Sequence, residues 1–176
     1  MAIKTMAASS GGGGQWSEGW HVLTITSAEY GTWDDTKILD VRFEGYPENF
    51  NHRIYEKFNE ETKEEFGFSS FFKMCNAGLI DKIKSSNGKE IIQYDDDISG
   101  LVGKQFNALF YKDANGYNKI CPKIAPVEHR GEVVSYSAED VDFWKGVAKK
   151  YQAKRAETAT PTETVASEVS EEDIPF

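Results

Sequence analysis

Apolar and polar positions alternate along five stretches of the chain, which predicts a sheet of five strands. These stretches contain many β-branched and aromatic residues, and turn-forming residues such as glycine, asparagine and proline separate them. The predicted strands are residues 20–30, 37–44, 51–58, 104–112 and 117–124. The clearest hairpin signal, Asn115-Gly116, stands between the last two strands.

Two other stretches have helical periodicity. Residues 60–79 follow the third strand, and the regular part of their pattern is 68–77. Residues 138–156 carry an apolar stripe, and Ser137 and Asp140 resemble a capping box before it. Three strands, a helix and two more strands are the element order of an OB barrel, and other small β barrels with a helix stay open as alternatives. We therefore predict a mainly β fold with two helices: a five-stranded OB-like barrel and a C-terminal helix.

The two ends of the chain differ in composition from this body. Residues 1–19 are small and polar, with four consecutive glycines, and predict a flexible arm. Residues 157–176 contain six acids and no Lys or Arg, and predict a disordered acidic tail. The net charge is −9, from 20 basic and 29 acidic residues; without the six tail acids, 23 acids remain and the net charge is −3. The domain at 20–156 is therefore nearly balanced and has room for a basic face.

The end of the tail is the most specific motif. A phenylalanine beside the terminal carboxylate, preceded by acids that steer it toward a basic surface, is typical of a docking peptide. These last residues are Glu171, Glu172, Asp173, Ile174, Pro175 and Phe176. They resemble the acidic tip of bacterial single-stranded DNA-binding proteins, and the predicted body looks like the OB-type single-stranded DNA-binding proteins of bacteriophages. The close match covers these six residues. It implies a domain that protects single-stranded DNA with little sequence preference, and a tip that recruits partner proteins during DNA replication, recombination or repair.

Two predicted strand faces combine cations with tyrosines, as single-strand binding requires. Cations follow the phosphates, and a base stacked on an aromatic ring gains about 1–3 kcal/mol. The alternative is an ordinary solvent-exposed face, since outward strand positions are often Lys, Arg or Tyr. The predicted DNA-binding residues are Trp33, Arg42, Arg53, Tyr55, Lys57, Lys104, Tyr111, Lys112, Tyr117, Lys119 and Lys123.

Other functional classes find little support in the sequence. It contains no Gly-rich phosphate loop, nucleophile elbow or zinc spacing, so we expect neither enzymatic activity nor a metal or cofactor. Cys75 and Cys121 are expected to be reduced, buried thiols of a cytoplasmic protein, in a bacterial host if the chain is phage-encoded. We expect no signal peptide and no membrane segment. The last helix or an edge strand would allow a homo-oligomer. A protein–protein adaptor and a strand-annealing recombination factor stay open as alternative functions.

Overall fold

Five strands form one sheet, as the alternation predicts. The computed structural model describes residues 2–4 and 15–158, with side chains up to residue 156. The elements within this part are β1 (Gly19–Trp33), β2 (Thr36–Phe43), β3 (Asn51–Tyr55), α1 (Gly67–Met74), β4 (Leu79–Lys84), β5 (Glu90–Tyr94), β6 (Gln105–Lys112), β7 (Asn118–Ile120) and α2 (Ala138–Thr158). One turn of 3-10 helix, Ile98–Leu101, precedes β6.

The order of the sheet is β3-β2-β1-β6-β7, and all its pairs are antiparallel. The long strand β1 makes this possible because its first half pairs with β6 and its second half with β2. The register shifts between Ile25 and Ser27, where β1 passes from one partner to the other. Since β3 and β7 end the sheet without pairing in the described residues, the barrel is nearly closed rather than closed. This confirms the predicted five-stranded OB-like barrel.

The barrel interior is filled from the sheet and from α1. Alternate residues of β2 point inward, and Leu39 and Val41 are fully buried there. Phe106 of β6 and Phe71 and Phe72 of α1 meet them in the same core cluster. Because α1 contributes two of its own aromatic rings to this core, it is fixed against the open side of the barrel, beside β3.

A second, smaller core lies outside the barrel, under α2. Leu109 points outward from β6 and packs in one cluster with Cys121 and Ala148. The helix begins with the predicted capping box: the Ser137 amide donates to Asp140 Oδ2 at 2.8 Å, and the Asp140 amide donates to Ser137 Oγ at 3.2 Å. The predicted helix at 138–156 is confirmed.

Some predicted boundaries are wrong. The first helix begins at Gly67 rather than at residue 60, because the preceding segment turns back and pairs Glu65 with Phe58. The third strand ends at Tyr55 instead of residue 58, and the last at Ile120, two residues before Pro122, instead of residue 124.

Strands β4 and β5 form a hairpin that the strand pattern does not predict. The sequence of residues 81–97 predicts only a connection to the fourth strand, with a turn at Asn87-Gly88. The two strands of the hairpin lie on the surface, and most of their side chains are partly or fully exposed. Without a buried face, no apolar alternation marks them in the sequence. The turn itself is where it was predicted, with Gly88 at a φ of 83°.

The segment before β1 takes part in the fold. A flexible arm is predicted through residue 19, but Trp16 packs edge-on against Tyr46 and Phe50, with ring centroids 5.1 and 4.9 Å apart. Cys75 and Cys121 are buried free thiols, as predicted. None of the described helices has the length and apolar character needed to cross a membrane. The predicted tail lies outside the described residues from 159 onward.

Candidate nucleic-acid interface

A cavity of about 500 Å³ lies where β3 and β7 leave the barrel open. Strand β3 and α1 form part of its wall, and α2 and the segment after β7 complete it. Four of the predicted DNA-binding residues line it: Arg53, Tyr55, Lys57 and Lys123. Arg53 and Tyr55 lie at the end of β3, and Lys57 follows two residues after it. Lys123 belongs to the segment after β7. The fold therefore brings Lys123 to a site with cations that lie 66 and 70 residues earlier in the chain.

Arg53 is held in one position by a neighbouring carboxylate. Its register partner across β2 and β3 is Asp40. The guanidinium donates from Nε to Oδ1 of Asp40 at 2.8 Å and from Nη2 to Oδ2 at 3.0 Å. This hydrogen bonding raises the pKa of Arg53 further above its usual range. The bidentate pair orients the guanidinium but offsets its charge, so Arg53 contributes less attraction for phosphate than its type suggests.

Tyr55 and Lys57 are placed by the junction between β3 and α1. The Glu65 carboxylate accepts from the backbone amides of Lys57 and Phe68, at 3.1 and 2.9 Å, which ties the two elements together. A Cβ on Gly67 would lie 2.0 Å from the Tyr55 carbonyl oxygen, so only glycine fits at this contact. Tyr55 as a whole residue is 38% exposed, and it lines the cavity.

Lys123 stands on the opposite wall beside α2. Its Nζ lies 5.5 Å from the centroid of the Tyr151 ring, a cation–π distance. Trp144 and Val147 of the same helix also line the cavity, and both are partly buried. This wall therefore combines a cation with apolar surface.

The sequence did not assign several residues of these walls to a site. Trp144 and Val147 belong to the apolar stripe of α2. Such a stripe predicts only that its residues pack in the core or against another subunit. From α1 and the residue before it come Phe66, Phe71 and Met74. No signal in the sequence separates such residues from core, because both are apolar and helically spaced.

His52 forms part of the cavity floor and is not a cation at neutral pH. Its side chain is buried between Phe71 and Phe106, with ring centroids 6.2 and 5.9 Å away. Burial lowers its pKa to about 4, although nearby Asp40 opposes the shift. The floor is therefore uncharged under ordinary conditions.

The other predicted residues of the last two barrel strands lie outside this cavity. Tyr111 pairs with Lys119 across β6 and β7, and Lys112 pairs with Asn118. The Arg155 guanidinium of α2 stands 6.0 Å from the Tyr111 ring. Tyr117, in the turn between the strands, is 66% exposed.

Three predicted residues lie in neither group. Arg42 is 3.8 Å from Glu29 and donates from Nε to the Glu48 carbonyl at 3.0 Å, so its charge is also offset. Trp33 ends β1 beside the β1–β2 turn and is 56% exposed. Lys104 precedes β6, at the opposite end of that strand from Lys112.

The predicted partner-binding residues 171–176 lie outside the described part of the chain. Within the described part, no group of three or more His, Cys, Asp or Glu side chains is arranged to hold a metal ion. Comparison with protein-family models, curated proteins and solved structures finds no match to this chain.

Proposed function

We propose that this protein binds and protects single-stranded DNA, with little sequence preference, during DNA replication, recombination or repair. One observation carries the proposal: Arg53, Tyr55, Lys57 and Lys123 surround one cavity at the open edge of an OB-like barrel. Such barrels commonly bind oligonucleotides across their second and third strands and neighbouring loops.

The mixed chemistry of the cavity favours a single strand over a duplex. Its cations suit phosphates, while Tyr55 and Trp144 offer aromatic surface to bases. A base reaches such surface only when it is unstacked and unpaired, which a single strand permits at little cost. Contacts to phosphates and to ring faces are indifferent to base identity, and this accounts for the low sequence preference.

Recruitment of other proteins belongs to the same proposal. We assign it to residues 171–176, on the strength of their likeness to the tip of bacterial single-stranded DNA-binding proteins. We also place the protein in the cytoplasm, of a bacterial host if the chain is phage-encoded, because two buried free thiols suit a reducing compartment.

A protein–protein adaptor is the second candidate, and the apolar share of the cavity favours it. Phe66, Phe71, Met74, Trp144 and Val147 would also suit the side chains of a peptide. The two functions differ in what the unaltered protein binds.

A fluorescence titration with oligonucleotides distinguishes DNA binding from the adaptor function. We expect labelled oligo-dT to bind more tightly than a duplex of equal length, and its affinity to fall as salt rises. Tyr55→Ala should lower the affinity about tenfold, within the stacking range of about 1–3 kcal/mol. Tyr117→Ala, which removes a more exposed tyrosine outside the cavity, should lower it less. If oligo-dT does not bind even at low salt, the DNA-binding proposal fails and the adaptor function is favoured.

A further inference from the structure

A row of side chains on α2 leads away from the cavity toward the C-terminal half of the helix. Val147 lines the cavity. Lys150 and Lys154, three and seven residues later, lie on the same side of the helix, and both are exposed. At about 1.5 Å per residue, the row extends about 10 Å beyond Val147. The basic character of the cavity wall is therefore continued along this flank of α2.

The Tyr151 ring connects this flank to the cavity. Lys123, which lines the cavity, has its Nζ 5.5 Å from the ring centroid. The Arg155 guanidinium lies 5.5 Å from the same centroid. The Tyr151 ring therefore lies within cation–π distance of both a cavity cation and a cation from the end of the helix.

The charges of α2 are segregated along its length. Three acids, Glu139, Asp140 and Asp142, lie in its first five residues, whereas residues 143–156 contain five cations and no acid. The helix dipole favours cations only in the last turn, which holds Arg155. It therefore gives a reason for Arg155 but none for Lys150, which comes earlier in the helix.

We propose that a DNA strand leaving the cavity continues along this flank of α2, where Lys150 and Lys154 contact its phosphates. The inference rests on the proposed function and extends the binding site beyond the barrel strands. The ligand class is the sugar–phosphate backbone of a single strand, since Lys150 and Lys154 offer positive charge to phosphates. A strand too short to leave the cavity does not reach these lysines.

The test compares two double variants that remove equal charge. Lys150→Gln/Lys154→Gln removes the two lysines proposed to contact the phosphates, which we call the track. Lys84→Gln/Lys149→Gln removes one exposed lysine from β4 and one from α2 outside the row. Each is titrated with oligo-dT from about 4 to 16 nucleotides, the range of OB site sizes, at several salt concentrations.

For long oligonucleotides, the track variant should bind about tenfold more weakly than the unaltered protein at ~0.1 M salt. Its log–log salt slope should be shallower by about 1.4, because each lost phosphate contact removes about 0.7. For the shortest oligonucleotides the track variant should match the unaltered protein. The control variant should keep the original slope at every length.

Two results would refute the role of the track lysines without refuting DNA binding in the cavity. One is an equal loss of affinity in the two double variants. The other is a loss of affinity in the track variant that is the same at all oligonucleotide lengths. Absence of any binding by the unaltered protein would refute the proposed function itself, and the track with it.

Discussion

The outer face of the β1–β2–β3 sheet and the cavity at the β3 edge use similar residues in different surroundings. On the sheet face, Arg42 lies near Glu29, and Arg53, where this face meets the cavity, is bonded to Asp40. Each of these arginines has a carboxylate as neighbour. The face is therefore close to neutral and offers little attraction to a polyanion.

The lining of the cavity contains fewer acidic side chains. Of the described residues lining it, Glu64 is the only acid, and its carboxylate lies 3.6 Å from the Lys89 ammonium outside the cavity. Lys57 and Lys123 line the cavity together with Tyr55, Phe66 and Trp144. Residue type alone therefore does not identify a nucleic-acid surface. The charges and aromatic rings around each cation decide whether it can attract a nucleic acid.

The largest effect, on stability, is expected from disrupting the contact between β3 and α1 in the cavity wall. Gly67→Ala places a Cβ 2.0 Å from the Tyr55 carbonyl oxygen, so β3 and α1 must move apart. We expect the free energy of unfolding to fall by about 3 kcal/mol. Gly146→Ala is the matched control, because its Cβ meets nothing within 4 Å and alanine favours a helix by up to ~1 kcal/mol. Chemical denaturation measures both; equal stability of the two variants would contradict the described contact.

A smaller effect on the free energy of unfolding should come from protonation of His52 in the cavity floor. Since its folded pKa, about 4, lies below its ordinary value near 6.5, protonation favours the unfolded state. Its contribution to stability is complete above pH 6.5 and is lost as the pH falls toward 4; about 2 kcal/mol of it is lost by about pH 5. Denaturation at several pH values should show a steeper decline for the unaltered protein than for His52→Gln. Parallel declines would mean that His52 does not titrate in this way.

The smallest effect should be the change in oligo-dT affinity after substitution of Arg42 on the sheet face. Arg42→Gln removes a cation whose charge Glu29 already offsets, so oligo-dT affinity should change less than about twofold. Lys57→Gln should lower it about fivefold at ~0.1 M salt, as the loss of one phosphate contact would. Filter binding or anisotropy measures both variants. A greater loss with Arg42→Gln would reverse the comparison.

Much of the barrel could be predicted because its strands have one buried and one exposed face. Leu39, Val41 and Phe43 alternate in β2, and the structure buries all three. The β4–β5 hairpin could not be predicted in the same way, because it packs too little of its surface to impose a pattern on its sequence.

The candidate site was predictable only in part. Arg53, Tyr55 and Lys57 share a face by strand periodicity, and they meet at the cavity. The approach of Lys123, Trp144 and Val147 depends on how α2 packs outside the barrel, which no local pattern contains. The pairing of Arg42 with Glu29 likewise depends on the register between β1 and β2.

Photochemical crosslinking tests most directly whether single-stranded DNA occupies the cavity. An oligo-dT with 5-iodouracil at successive positions would be irradiated with the protein, and the attached peptides identified by mass spectrometry. We predict crosslinks at Tyr55 and Trp144, two aromatic residues on different walls of the cavity. Crosslinks confined to exposed rings elsewhere, such as Trp33 and Tyr117, would contradict it.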